Sequence, residues 1–285
     1  MTSVLLVSAA LAAPTFVADD VRLERLADTA WAAATACVGH EAPARERVEI
    51  VVGPVRGGFG GRAFVDGWVG RRTYDREGRV LTETLSDAGG LARIELAAPR
   101  PRSVAHEVAH AWVHGGPSAL VEGATNLLAD CIARRAPRQF GWAVGGDTLD
   151  GLEDLRSWRN ADDASPSTRI AGYAASSALM RAAARVVPES VLWRSDWTWS
   201  AFADVLRGAG DTVVLPIVEG GVASQLAALA DLDGDGMSAL EEQLMGTDPD
   251  EWDSDRDGWW DGAPPELGAS GAVPIPSGGS SLVTS

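Results

Sequence analysis

"RSVAHEVAHAWVHGGPSALVEGATNLLAD", residues 102–130, decides the reading of this chain. It holds three of the four histidines, His106, His110 and His114. His106 and His110 are four residues apart. On a helix, positions i and i+4 share one face, so both imidazoles can reach a single cation. Glu107 lies beside them, able to reach a water on that cation without being a ligand. This is the H-E-x-x-H order of two zinc ligands and a general base. A catalytic zinc needs a third protein ligand and keeps one position open. His114 does not qualify. Positions i, i+4 and i+8 of one helix span about 12 Å, whereas zinc bonds are about 2 Å long.

The third ligand must therefore return from another element, and Glu122 is placed to do so. Gly115 suits a helix C-cap and Pro117 a first helical turn, so "GGP" at 115–117 ends one helix and starts the next. Eleven residues lie between His110 and Glu122. That is enough for a turn of helix, a tight loop and a turn back. Asn126, one turn after Glu122 on the same face, can orient a ligand histidine. Trp112 and His114 are expected to pack rather than to react.

Outward from this stretch, the pattern is α+β: a small mixed sheet first, helices after it. Residues 19–39 have helical spacing, with Asp19 or Asp20 as cap. Strands are expected at 47–55, 79–85 and 91–97. The glycine-rich 57–70 reads as a hairpin or flap. Helices follow at 102–114, 118–135, 167–187 and 198–208, with an irregular connection over 136–166.

The stretch resembles the gluzincin branch of the zinc metallopeptidases. There the HExxH helix is followed by a second helix carrying "EG", as in "LVEGATNLLAD". The likeness covers roughly residues 90–190. It implies a zincin-like core in which His106, His110 and Glu122 hold zinc and Glu107 is the base. It also implies that the strand at 91–97 is an edge strand pairing with an extended peptide substrate. Tyr173, in "IAGYAASSALM", looks like the tyrosine some members place near the oxyanion. The ligand spacing is shorter than in the best-known gluzincins. The metzincin pattern fails, with Val113 where it needs Gly and Gly116 where it needs His.

A second motif begins where the composition changes, near residue 230. "DLDGDGMSALEE" (231–242) has Asp231, Asp233 and Asp235 at loop positions 1, 3 and 5, Gly236 at 6 and Glu242 at 12. Calcium loops need this spacing: three short carboxylates, a sharp turn, the Met237 carbonyl at position 7, and a bidentate glutamate. "DSDRDGWWDG" (253–262) repeats the spacing with Asp253, Asp255, Asp257 and Asp261. Pro264 stands at its position 12, so Asp261 or the neighbouring repeat must complete it. Together these 32 residues resemble thrombospondin type 3 repeats, which implies calcium as a second cofactor.

Charge and cysteine usage bound the setting. The net charge is −16, and residues 231–262 hold twelve acidic groups against Arg256 alone. The acid is thus a local device. The absence of a basic stripe speaks against a nucleic-acid partner. "MTSVLLVSAALAAPTF" starts with an apolar run too short to span a bilayer and reads as a signal peptide over 1–13. A metallopeptidase domain over 14–230, the calcium repeats over 231–262 and a Pro/Gly/Ser-rich tail over 263–285 then follow. Cys37 and Cys131 can pair in an exported protein, or be two buried thiols. The expectation is a secreted or surface zinc peptidase acting on peptides or proteins, with no transmembrane span. The competing expectation is an inactive, peptidase-like adhesion protein with the same repeats. Oligomeric state is not readable.

Overall fold

The structure is a computed structural model that describes residues 13–55, 60–66, 73–74, 80–82, 90–140, 149, 152–160, 165–220, 227–256 and 260–261. The expected leader, save Ala13, and the expected tail lie outside these residues, as do the flap residues 57–59 and 67–70. The fold is mixed α/β, with a small four-stranded mixed sheet and about half of the described residues in helices.

The chain divides into two compact units. The first comprises Met1–Gly116, Thr125–Trp142 and Trp193–Asp196. It opens with β1 (Thr15–Ala18), α1 (Val21–Val38), β2 (Ala44–Val52) and β3 (Gly61–Asp66). The short β4 (Thr73–Tyr74) and β5 (Val80–Thr82) pair with each other. β6 (Gly90–Leu96) and α2 (Pro101–Ala109) follow. α3 (Ser118–Arg135) starts in the second unit and continues unbroken into the first, where α4 (Pro137–Phe140) follows it.

The sheet order is β1-β2-β6-β3. β1, β2 and β6 run parallel, and β3 closes antiparallel on β6. Period-2 patterning explains how the sheet sits. Val48, Ile50, Ile94 and Leu96 turn to one face and are buried. On the other face Arg93 pairs with Glu49 (3.7 Å) and Glu95 (3.1 Å). α1 packs on β1 and on α2, and α2 packs on β3 and β6. Asp20 caps α1 by accepting from the Arg22 amide. Trp31 of α1 meets Trp112 at 4.6 Å between ring centroids, and the Trp112 indole donates to the His40 carbonyl.

One expectation is corrected here. The strand that resembled a substrate-pairing edge, β6, is interior, hydrogen-bonded to β2 and β3. The edges are β1 and β3, and β3 comes from the stretch read as a flap. Two glycine-flanked residue runs do not reveal which strand closes a sheet. β1 was also unread, being only four residues long.

The second unit comprises Pro117–Ala124, Ala143–Leu192 and Trp197–Ser285. Its centre is α5 (Pro166–Val186), capped by Ser165 with Pro166 at the first position. α6 (Glu189–Leu192), α7 (Trp199–Gly208), α8 (Val214–Glu219) and α9 (Ala239–Met245) complete it. α6, α8 and α9 all pack on α5. The described part of 231–261 belongs to this unit.

Cys37 and Cys131 form a disulfide joining α1 to α3 across 94 residues of sequence. Closing so long a loop restricts the unfolded chain, an effect of about 2–4 kcal/mol. Replacing both cysteines by serine is expected to lower unfolding stability by that amount in a urea titration. An unchanged midpoint would mean the cross-link contributes nothing.

Candidate metal centres

α2 starts at Pro101 and ends at Ala109, shorter than the expected 102–114. The next turn tightens: the Ala111 and Trp112 amides donate to Val108 and Ala109, three residues back. Gly115 (φ 73°) and Gly116 (φ 122°) then reverse the chain. A Cβ on Gly115 would collide with the Asp196 carboxylate, so the close approach also requires glycine. The Leu120 and Val121 amides donate to the Pro117 carbonyl as α3 begins.

His106, His110 and Glu122 present ligand atoms that all lie within 4.8 Å of one another. The ring nitrogens are already assigned by their partners. His106 Nδ1 lies 2.7 Å from Asn126 Oδ1, which only accepts, so this Nδ1 carries the proton. His110 Nδ1 lies 3.1 Å from the Val113 carbonyl, so it is a donor too. Thr125 Oγ1 sits 3.3 Å from the same nitrogen. Both imidazoles therefore offer Nε2 as the lone-pair atom. Fixing the tautomer through the other nitrogen is what ligand histidines need. Asn126 thus meets the ring nitrogen of His106 that faces away from Nε2.

Glu107 is buried, at 4% exposure, on the α2 turn of the two histidines. Gly61 of β3 lies against it. A Cβ at Gly61 would overlap the Glu107 carboxylate, with its Cγ and Cδ both at 2.9 Å. His114 is not in the cluster. Its Nδ1 donates to the His110 carbonyl (3.2 Å), and burial holds its pKa below the usual histidine range.

Glu122 is buried as well, and Asn160 holds it: Nδ2 donates to Glu122 Oε1 at 2.9 Å. The same Nδ2 donates to the Tyr173 hydroxyl oxygen at 2.6 Å. The Asn160 amide nitrogen donates to Ser118 Oγ (3.2 Å). Tyr173 is further fixed by Trp158, whose ring meets it at 5.5 Å between centroids. Asn160 was missed because it is a lone asparagine in an irregular connection, with no periodic or motif signal. Thr125 and Gly61 were missed too. Thr125 was within reach, three residues after Glu122 on the same helix.

The second centre is acidic. Asp231, Asp233 and Asp235 bring carboxylate oxygens within 4.8 Å of one another, and so do Asp235, Glu242 and Asp261. The loop folds on its own side chains. Asp231 accepts from the Gly234 and Gly236 amides (2.8 and 3.0 Å), and Asp235 accepts from the Met237 amide (2.7 Å). Gly234 (φ 82°) and Gly236 (φ 96°) allow the turn. A capping box at Ser238 and Glu241 starts α9, which carries Glu242. Glu242 is fully buried, and among the described residues neither of its carboxylate oxygens has a hydrogen-bond partner, nor has Asp233 Oδ2. A buried carboxylate left this way is costly unless a cation meets it. Burial raises the Glu242 pKa to about 8, with the charges of Asp233, Asp235, Asp261 and Asp231 adding to it.

The second acidic run does not form its own cluster among the described residues. Asp261 turns instead to Asp235 and Glu242 of the first run. Asp253 and Asp255 join no such group, and Asp257 lies outside the described residues. Within the second run the Ser254 hydroxyl donates to Asp261.

Comparison with known proteins adds no relative: no family model, no curated protein and no solved structure matches the chain. Among the described residues no helix is long and apolar enough to cross a membrane.

Two outcomes are expected. Asn126→Ala should weaken metal binding at the histidines about 10–100-fold, read by competition with a chromogenic chelator. An unchanged affinity would remove Asn126 from the site. For the acidic centre, the folded pKa of Glu242 lies above its ordinary 4.5, so the fold favours the protonated form. Its contribution is present below about pH 4.5 and is lost as pH rises through about 8. In cation-free protein, thermal stability should therefore fall over that window, and saturating calcium should flatten the profile. A flat profile without calcium would contradict the burial argument.

Proposed function

We propose that the chain is an exported zinc-dependent metallopeptidase with a calcium-binding C-terminal segment. The convergence of His106, His110 and Glu122, with both histidine Nδ1 atoms committed as donors, carries the proposal. Two neutral imidazoles and one carboxylate suit zinc, and three protein ligands leave one position open. Zinc held there supplies a Lewis acid for the scissile carbonyl and lowers the pKa of its water. Glu107, on the same helical turn, takes the proton from water and passes it to the leaving amine. Burial beside Gly61 restricts its carboxylate to a narrow arc, which is what proton transfer needs. Tyr173 accepts from Asn160 and donates its own O–H toward the developing oxyanion.

The edge strand supports a peptide substrate. The Gly60 carbonyl accepts from the Ala97 amide, and Gly61 stands opposite Leu96. In an antiparallel ladder, both backbone groups of one residue turn to the same side. Gly61 and Ala63 therefore turn theirs away from β6. Among the described residues no strand pairs with that side. An extended peptide adding there runs past Glu107. The zincin-like core is proposed on this arrangement of edge strand, ligand helix and second helix.

Calcium is the cation proposed for the acidic centre, because five carboxylates and no nitrogen or sulfur make a hard-oxygen site. Extracellular calcium levels and a disulfide between α1 and α3 are compatible with a secreted or surface setting.

The test is hydrolysis of an unstructured protein by the full chain. Glu107→Gln is expected to keep one zinc per chain and to lose at least about a hundredfold in kcat/KM. Glu122→Ala should lose zinc. Cleavage unaffected by Glu107→Gln would exclude the proposed base. Zinc binding without cleavage by the wild type would favour the inactive adhesion reading. Ala63→Pro removes one outward amide but no bond to β6. It should lower kcat/KM for long peptides far more than for dipeptides, and equal losses would exclude edge pairing.

A further inference from the structure

The helix that closes the acidic loop packs on α5, and Arg181 of α5 bonds to the loop itself. Arg181 Nε donates to Glu241 Oε1 (2.9 Å) and Nη2 to Glu241 Oε2 (3.2 Å). Nη2 also donates to the Gly236 carbonyl at 3.2 Å. Gly236 follows Asp235 in the chain, and Glu241 precedes Glu242. The guanidinium thus grips both ends of the turn that makes Asp235 and Glu242 converge. Glu241 is buried and also accepts from the Ser238 amide and hydroxyl. This is a built contact, not a surface ion pair.

The same helix supports Glu122. Gly123, the next residue, lies directly against α5: a Cβ there would collide with the Ser176 carbonyl and approach Met180 Cγ at 2.8 Å. Met180 and Ser176 are fully buried. Tyr173, two turns before Arg181, shares Asn160 with Glu122. All of these residues belong to one compact unit, and α5 runs through it without a break.

We propose that Arg181 is a positioning residue that makes calcium binding at 231–261 set the ligand Glu122. This rests on the zinc reading above. Without a cation, carboxylates of Asp231, Asp233, Asp235, Glu242 and Asp261 repel one another and the loop opens. The Gly236 carbonyl and the Glu241 carboxylate then leave the guanidinium, and the C-terminal turns of α5 lose their clamp. Gly123 has no slack against Ser176 and Met180, so Glu122 and the Asn160 bridge shift with the helix. Calcium closes the loop and restores the ligand position. Coupling of this kind is reciprocal, so zinc must also tighten calcium.

The experiment uses the full chain, stripped of metal on a chelating resin. Zinc affinity is read by competition with a chromogenic chelator at zero and saturating calcium. His106→Ala serves as the blank for zinc taken up by the acidic loop, and calcium binding is followed by calorimetry. Calcium is expected to tighten zinc between about five- and a hundredfold. Arg181→Gln leaves every ligand of both centres in place, so it should still bind calcium while the enhancement falls to about one. Arg181→Lys keeps the charge but loses the fork and should retain part of it. Equal zinc affinity with and without calcium, while calcium binds, overturns the coupling and leaves the zinc reading intact. Full enhancement in a folded Arg181→Gln overturns the role of Arg181. Absence of zinc binding in both conditions overturns the zinc reading and the coupling with it.

Discussion

The reversal at Gly115 and Gly116 is the constraint on which the candidate histidine metal centre depends. A metal bonded at about 2 Å admits no third ligand from the helix that carries His106 and His110. The chain must turn back within a few residues. Two consecutive glycines at positive φ allow this, and the crowding of Gly115 by Asp196 leaves no room for a side chain. α3 then supplies three groups with three different tasks. Glu122 is a ligand candidate, Thr125 approaches His110, and Asn126 fixes the tautomer of His106. Their offsets of three and four residues are those of one helical face. The site follows from where one short connection stops one helix and starts another.

What was legible in the sequence is what local chemistry dictates. α3 runs from Ser118 to Arg135 as read, because glycine and proline punctuate its start and its apolar period is sustained. α5 and α7 lie within one residue of their expected ends for the same reason, with Ser165 and Thr198 as caps. That His106, His110 and Glu122 meet, and that Asp231, Asp233 and Asp235 do, was readable because their spacing alone restricts which side chains can meet. The failures are non-local. Nothing in "GGRAFVD" says that it closes the sheet in place of "LARIELA". Asn160 acquires its role only from Glu122 and Tyr173, which lie 38 and 13 residues away. Asp261 bonds to Ser254 of its own run and also meets Asp235 and Glu242 of the preceding one, which spacing alone does not announce.

The two centres differ in how their charge is balanced. At the histidines, each Nδ1 has a protein acceptor and Glu122 Oε1 has a protein donor. At the acidic loop, Glu242 lies fully buried with no hydrogen-bond partner on either oxygen among the described residues, and burial and then the surrounding carboxylates disfavour its ionisation. The first arrangement suits a preformed site in which the protein fixes geometry before the metal arrives. The second suits a segment whose closed form is favoured only with a cation present. An acidic segment of this composition reads naturally as a spacer, but its ion pair to Arg181 on α5 makes it part of the unit that supports Glu122.

Gly61 bears on whether chemistry or packing chose the residues around Glu107. Gly61 opens β3, and a glycine there gives up the packing a side chain would supply. A buried position on α2 facing a sheet is ordinarily filled by an aliphatic side chain. Here both economies are forgone together: a carboxylate occupies the buried position, and the strand opposite gives up its side chain to admit it. A scaffold needing only cohesion gains from reversing either choice. The pair sets a buried carboxylate beside two imidazoles with its room limited by the strand opposite, an arrangement that suits the proton transfer proposed for Glu107.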